Sequence, residues 1–471
     1  MSLIKSISGI RGTIGGKVGE NLTPIDIVKF TTAYGIFIKE NNKDADKIVV
    51  GKDARLSGKI VEKLVVATLQ SLGFDVINIG LATTPTTELA VTDKQADGGI
   101  IITASHNPKH WNALKLLNSN GEFLNATDGN KVLQIAENKV FNYSIIKHIG
   151  KEIKILNYED KHIEKILKLS FLKLDEIKQS NFKVAIDCIN SVGGIAVPKL
   201  LNALEIENIV ELNCDPTGMF AHNPEPLPEN LTDIAKLVKE QKCDVGFVVD
   251  PDVDRLAIIC EDGSMFGEEY SLVAIADYVL SLKKGNTVSN LSSTRALRDI
   301  SEKYGVDYNA SAVGEVNVVE RMKATKAVIG GEGNGGIILP KLHYGRDALV
   351  GIALFLSLMA TKKQKVSELK KTYPQYFISK NKIELKPETN IDELFNFIKE
   401  KYKNEQITDI DGIKIDFLEN KEWVHLRKSN TEEIIRIYSE SKNEEQANKL
   451  AERIFFKIYF LFSKKNCTFA N

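Results

Sequence analysis

Cysteine is scarce: Cys188, Cys214, Cys243, Cys260 and Cys467 are the five in a chain of 471 residues, odd in number, widely spread and without a CxxC pair. That argues against a disulfide framework and against a thiolate zinc site, and leaves reduced thiols in a cytosolic protein as the expectation. Long hydrophobic runs are lacking too. The longest, residues 348–360, contains Gly351 and Ser357 and falls short of the roughly 18 residues needed to cross a bilayer, so it reads as a buried helix and no membrane association is expected. An excess of either charge is absent, since 62 Lys and Arg face 63 Asp and Glu for a net charge of −1. No global field therefore draws the chain to nucleic acid, and an anionic ligand must be held locally. The opening Met1-Ser2-Leu3-Ile4-Lys5-Ser6 has no charged stretch leading into an apolar one, so no export is expected and the location is read as cytoplasmic. Low-complexity segments and short-period repeats are missing as well.

What remains is the composition of an ordinary soluble enzyme, 43% hydrophobic and 27% charged, with length enough for about three or four domains. A short β-branched run closed by a Gly- or Asp-rich turn and followed by a helical stretch recurs: Ile48-Val49-Val50-Gly51 before residues 59–72, and Val184-Ala185-Ile186-Asp187 before residues 195–203. Similar runs end at Asp250 and at Gly330. Repeated units of this kind imply α/β domains whose ligands gather beyond the carboxyl ends of strands. Polar stretches near 143–180, 261–263 and 361–385 suggest divisions at 1–150, 151–259, 260–372 and 373–471. The last unit alternates extended runs, 413–417 and 423–426, before an amphipathic helix over 444–462, and reads as α+β.

Four loops carry residues suited to chemistry. Thr103-Ala104-Ser105-His106-Asn107-Pro108 follows the apolar run 99–102 and presents Ser105 at a strand end, a nucleophile candidate or else an ordinary ST-turn. A Ser-His-Asp hydrolase is disfavoured, because GxSxG is absent and His106 is adjacent in sequence. Lys115 is available to neutralise charge at Ser105, or is a solvated side chain. Asp250-Pro251-Asp252-Val253-Asp254-Arg255 places carboxylates at i, i+2 and i+4 of an extended segment, on one side, where they repel unless a hard cation such as Mg²⁺ sits among them. Arg255 stands where an EF-hand needs Gly, and the flanks are strand-like, so calcium sensing is disfavoured, and the plain alternative is a solvated acidic turn.

Gly330-Gly331-Glu332-Gly333-Asn334-Gly335-Gly336 satisfies the spacing of a dinucleotide fingerprint, but a strand-like Ile337-Ile338-Leu339-Pro340 follows where that fingerprint requires a helix. The loop reads instead as a flexible turn or as a polyol site presenting Glu332 and Asn334. Arg427-Lys428-Ser429-Asn430-Thr431-Glu432, with Arg436 beyond, supplies guanidinium, hydroxyl and amide groups for a phosphate, or forms a plain hairpin loop.

In this order and over essentially the whole chain, the loops, together with Ser6-Ile7-Ser8-Gly9-Ile10-Arg11-Gly12, resemble those of the α-D-phosphohexomutases, enzymes that move a phosphate between C1 and C6 of a hexose. The resemblance implies three consecutive α/β domains with mixed sheets plus a C-terminal α+β domain around a central cleft. It implies a phosphorylated Ser105 that hands its phosphoryl group to a hexose phosphate, with a sugar bisphosphate as intermediate and primer. Mg²⁺ is then held by Asp250, Asp252, Asp254 and Ser105, and Arg11, His106, Lys115 and Arg255 surround the transferring group. Glu332 and Asn334 bind sugar hydroxyls, while Arg427, Ser429, Asn430, Thr431 and Arg436 hold the phosphate that is not reacting. Asn334 and Gly336 stand where many members have Ser and His, which leaves His343 or Lys115 for acid/base work. Lys428, Asn430 and Glu433 replace Pro, Gly and Pro of many members. The stretch His343-Tyr344-Gly345-Arg346-Asp347 is similar to the subgroup acting on amino sugars, which implies interconversion of glucosamine 6- and 1-phosphates, with glucose and mannose phosphates as the alternative. A monomer or homodimer is expected, with no nucleic acid partner.

Overall fold

A computed structural model describes residues 2–6, 9–138, 140–384, 390–429 and 434–466, with side chains described as far as residue 456. Four sheets follow one another along the chain. The first has seven strands in the spatial order Ile4–Ser6, Gly9–Thr13, Trp111–Leu117, Gly98–Ile102, Lys47–Lys52, Asp75–Leu81 and Glu152–Lys154, antiparallel at the first three pairings and parallel at the rest. The second runs Leu256–Cys260, Val245–Val249, Lys183–Asp187, Asn208–Leu212, and the third Tyr308–Ser311, Thr287–Asn290, Ile329–Glu332, Gly336–Ile338. Both are parallel except where Val245–Val249 meets Leu256–Cys260 and where Ile329–Glu332 meets Gly336–Ile338. The fourth is wholly antiparallel, in the order Phe377–Glu384, Ile434–Ser441, Glu422–Lys428, Ile413–Phe417, Gln406–Thr408.

The apolar runs explain the central strands. Residues 245–249 and 256–260 are buried throughout, as continuous Val, Ile and Phe runs must be when helices cover both faces of a sheet. In each of the first three sheets a parallel strand ends in a tight turn and the chain returns antiparallel beside it. These turns are residues 103–110, 250–255 and 333–335. Three of the four motifs thus sit on a strand-to-strand turn, where side chains and backbone N–H groups leave the sheet at its edge rather than disappear beneath a helix.

The long apolar run is helix Ala348–Lys362, buried at every residue from Ala348 to Ala360. It packs against the helices Leu174–Ser180 and Glu268–Leu282, inside one core shared by the second and third sheets. No helix among the described residues is long and apolar enough to cross a membrane. Phe355 lies at the centre of this core, edge-on to Phe266 at 5.3 Å and to Phe247 at 6.1 Å between ring centroids. Phe355→Ala should lower the free energy of unfolding by about 3–5 kcal/mol, read as a fall in the denaturant midpoint.

Candidate active site

Ser105 occupies the turn after strand Gly98–Ile102 with φ of 47°, a left-handed conformation that L-residues other than Gly adopt only when their surroundings impose it. Its surroundings do so. The Ser105 N–H donates to Thr103 Oγ1 at 2.9 Å, and the Arg55 guanidinium donates to the carbonyls of Ser105, Asn107, Pro108 and Trp111 at 2.5, 2.6, 2.8 and 2.9 Å. Arg55 is itself held by Asp53 at 3.0 Å, which also accepts from Thr103 Oγ1 at 2.7 Å. Four planar donors thus fix the loop path while the fifth anchors Asp53, a task a lysine has no geometry for.

The Ser105 hydroxyl donates to Asp250 Oδ2 at 2.7 Å across 145 residues of sequence. Asp250, Asp252 and Asp254 are fully buried, and one oxygen from each lies within 4.8 Å of the others. Val253 between them has φ of 62°, costly for a β-branched residue, and this sharp local bend turns the three carboxylates inward. Asp250 Oδ1 accepts from the N–H groups of Asp254 and Arg255 at 3.1 and 3.2 Å. Asp252 Oδ2 accepts from Thr84 Oγ1 at 2.6 Å and from Lys115 Nζ at 2.7 Å, while Asp254 Oδ2 accepts from Arg346 Nη2 at 2.7 Å. Asp252 Oδ1 and Asp254 Oδ1 are buried without a donor. Buried carboxylate oxygens left unpaired are expensive, and a cation held by oxygen ligands removes that cost, so the donor set fits a hard divalent ion.

The charges agree with that reading. Burial and then the neighbouring Asp254 and Asp252 push Asp250 well above the ordinary carboxylate range. Burial works against the Lys115 ammonium too, but Asp252 and Asp254 raise its pKa above the usual value, so it keeps its charge. His106 lies with Nδ1 3.4 Å from Ser105 Oγ. Burial, followed by Arg255, Arg346 and Arg11, pushes His106 down to about 2, and Arg11 is lowered by burial and by Arg255. Cations gathered about a histidine that adjoins the serine hydroxyl suit a multiply charged anion. Arg255 Nε is buried without a hydrogen-bond partner, a donor left over for such a ligand.

Arg346 is the residue that sequence reasoning quoted without giving it a role. Its buried guanidinium spans Asp254, Glu315 at 3.0 Å and Glu332 at 3.0 Å. Gly336 is the counterpart of this arrangement: a Cβ there would stand 2.3 Å from Arg346 Cδ, so the glycine leaves the room that the arginine occupies. Glu332, expected to face sugar hydroxyls, is buried and also accepts from Asn290 Nδ2 at 2.8 Å and Gly314 N at 3.0 Å. The Asn334 side-chain Oδ1 accepts from Gly336 N at 3.2 Å and so closes its own turn.

In the fourth sheet Arg427 pairs with Asp411 at 2.8 Å, and Asp411 in turn accepts from Val313 N at 2.9 Å. Val313 precedes Gly314, which holds Glu332, so a continuous polar chain runs from Arg427 through Glu332 and Arg346 to Asp254. Ser429 is buried and Arg436 half-buried beside this strand pair, whereas Asn430, Thr431, Glu432 and Glu433 lie outside the described residues. His343 takes a different direction. Its Nε2 meets Asp347 Oδ2 at 3.2 Å and its Nδ1 faces Glu88, and although burial opposes its charge these carboxylates raise its pKa to about 10. Glu315, Thr84 and Glu88 had no sequence signal, because their partners lie far along the chain, and neither did Arg55, whose bonds to the serine loop span 50 residues or more.

A serine fixed beside a buried carboxylate triad and ringed by cations, on the turns of successive mixed sheets, defines a multidomain enzyme that handles a phosphorylated ligand. Models of the four phosphoglucomutase/phosphomannomutase domains match in order: the alpha/beta/alpha domains I, II and III over residues 4–143, 160–263 and 267–376, and the C-terminal domain over 363–456. The chain belongs to the phosphoglucomutase/phosphomannomutase family of the α-D-phosphohexomutase superfamily, whose members are isomerases. It is 32% identical to a phosphoglucosamine/phosphogalactosamine mutase of Sulfurisphaera tokodaii, over 96% of this chain and 98% of that one, and 34% identical to a phosphoglucomutase/phosphomannomutase of Thermococcus kodakarensis, over 94% and 96%. A crystal structure of a phosphoglucomutase/phosphomannomutase family protein from Burkholderia thailandensis shares the fold, with a TM-score of 0.81 at 23% identity over 97% of both chains.

Arg346→Met should cost about 3–5 kcal/mol of stability, the penalty for stranding buried carboxylates. Added Mg²⁺ should restore part of that loss. Thermal melts with and without chelator test this, and a variant as stable as the parent in chelator would refute the bridging role.

Proposed function

We propose that this is a cytoplasmic, Mg²⁺-dependent phosphohexomutase that interconverts glucosamine 6-phosphate and glucosamine 1-phosphate. The observation that carries the reading is the Ser105 hydroxyl held 2.7 Å from Asp250 beside two carboxylate oxygens that lack a donor. Phosphorylated at Oγ, Ser105 gives its phosphoryl group to the free hydroxyl of the sugar phosphate: the serine O–P bond breaks as the sugar O–P bond forms. The bisphosphate turns over in the cleft, and its other phosphate returns to Ser105, which restores the phosphoserine and releases the isomer. Asp250, Asp252 and Asp254 would hold Mg²⁺, which offsets negative charge on the transferring group when bound.

Arg11, Arg255 and Lys115 face the same group and supply charge that needs no reorganisation during transfer. Of the two side chains expected to do acid/base work, Lys115 touches Asp252 and Asp254 and stays protonated, so it can give a proton but not take one, whereas both ring nitrogens of His343 face carboxylates elsewhere. Arg427, Ser429, Asn430, Thr431 and Arg436 would hold the distant phosphate, and Glu332 with Asn334 would meet the sugar between them. The relative named a phosphoglucomutase/phosphomannomutase, at 34% identity, supports a second reading in which glucose and mannose phosphates are preferred with the same residues.

Purified protein with Mg²⁺ and a sugar-bisphosphate primer should convert the 6-phosphates of glucosamine, glucose and mannose with the highest kcat/KM for the amino sugar. Ser105→Ala should lower turnover by at least about a thousandfold. A preference for glucose or mannose would move the assignment to the second reading. Full activity in Ser105→Ala, with loss in Asp250→Asn, would instead indicate a phosphatase using an aspartyl nucleophile.

A further inference from the structure

His162, His343 and Asp347 form a second cluster whose donor atoms lie within 4.8 Å of one another. None of the three belongs to the acidic loop. His162 and Asp347 are fully buried, and the His343 side chain is 11% exposed. His162 Nε2 and His343 Nε2 meet the same oxygen, Asp347 Oδ2, at 2.9 and 3.2 Å. The rings stand edge to face, 6.2 Å apart, so the two Nε2 atoms converge on the carboxylate from different directions.

The remaining polar atoms of these three side chains are turned away from the point of convergence, and those of His162 and Asp347 are held there. His162 Nδ1 meets Thr86 Oγ1 at 3.0 Å, and Asp347 Oδ1 accepts from the N–H groups of Leu349 and Val350 at 2.9 and 3.2 Å, capping the long apolar helix. His343 Nδ1 faces Glu88 Oε2 at 3.2 Å, but the contact lacks the alignment of a hydrogen bond. Glu88 is 1% exposed, and neither of its oxygens has a donor. Two buried carboxylates thus face the His343 ring from its two nitrogens, and the donor that would satisfy Glu88 is a proton on Nδ1.

We propose that His162 Nε2, His343 Nε2 and Asp347 Oδ2 form a three-ligand site for a divalent transition-metal ion of the Zn²⁺ type, with a water molecule completing the coordination. Two imidazole nitrogens and one carboxylate suit zinc or cobalt and are poor ligands for Mg²⁺, which separates this site from the all-oxygen triad. A carboxylate or hydroxyl behind each imidazole is the arrangement that orients metal-binding histidines and sets their tautomer. With a metal on Nε2, the one ring proton of His343 resides on Nδ1 and supplies Glu88 with the donor it lacks. The ion would tie together segments 76 and 185 residues apart, Thr86 to His162 and His162 to Asp347, where helices of the first, second and third sheet regions meet. The proposal does not rest on the mutase reading.

The test is a Co²⁺ titration of the full-length, chelator-stripped protein in excess Mg²⁺, followed by visible ligand-field absorption. Stoichiometric uptake with intense low-symmetry bands is expected. It should be lost in His162→Ala and in His343→Gln, retained in Asp254→Asn, and weakened about 10–100-fold in Glu88→Gln. Zn²⁺ should displace the Co²⁺ and quench the bands. A wild-type protein that develops no visible bands, or bands that survive both histidine variants, would overturn the proposal whatever the mutase assay returns.

Discussion

Repulsion among Asp250, Asp252 and Asp254 is the constraint around which the molecule is arranged. Three carboxylates out of contact with water cannot all keep their charge unless cations are delivered to them, and the chain delivers those cations from several directions. Lys115 comes from the first sheet and Arg346 from the turn before helix Ala348–Lys362. The triad itself comes from the second sheet. Its electrostatic demand therefore acts as a cohesive force between sheets, and its two unpaired oxygens show that the protein alone does not fully meet that demand. A site built this way is complete only with its ligand, and binding and folding draw on the same free energy.

The same turn recurs in each of the first three sheets: a parallel strand ends, a few residues carry chemistry, and the chain returns antiparallel. Three different loops, a serine, an acidic triad and a glycine-rich segment, are thereby presented with similar backbone support. The Glu332 carboxylate illustrates the economy of this plan. It links its own loop to Asn290, Gly314 and Arg346, so the loop that would meet a sugar is mechanically continuous with the acidic centre and, through Asp411, with Arg427.

Features that are local in sequence were legible. Ser105 and the triad occupy short contiguous motifs, strands such as Lys47–Lys52 and Lys183–Asp187 are β-branched runs, and the apolar segment at 348–360 is a buried helix as its composition dictates. What the sequence concealed depends on distant pairing. Arg346 acquires meaning only from Asp254, Glu315 and Glu332, which lie 92, 31 and 14 residues away. The edge strand Glu152–Lys154 is exposed at all three residues and so carries no apolar pattern to reveal it. His343 offered itself as an acid/base candidate by residue type, while its contacts with Glu88 and Asp347 were invisible until the first and third sheets were set side by side.

The clamp that Arg55 places on the serine loop reaches beyond stability. Four carbonyls bound to one guanidinium leave Ser105 little freedom to follow a phosphoryl group as it departs. In the proposed reaction the enzyme's nucleophile is therefore a stationary post, and the sugar is the part that travels. Both ends of the hexose must come to the same atom in turn, so the grip on its far end has to be impartial: it must accept a phosphate on either carbon and tolerate a ring presented head first or tail first. Recognition then rests on groups common to both orientations, and a substituent that breaks that likeness, such as the amine of an amino sugar, must find room on two faces of the cleft rather than one.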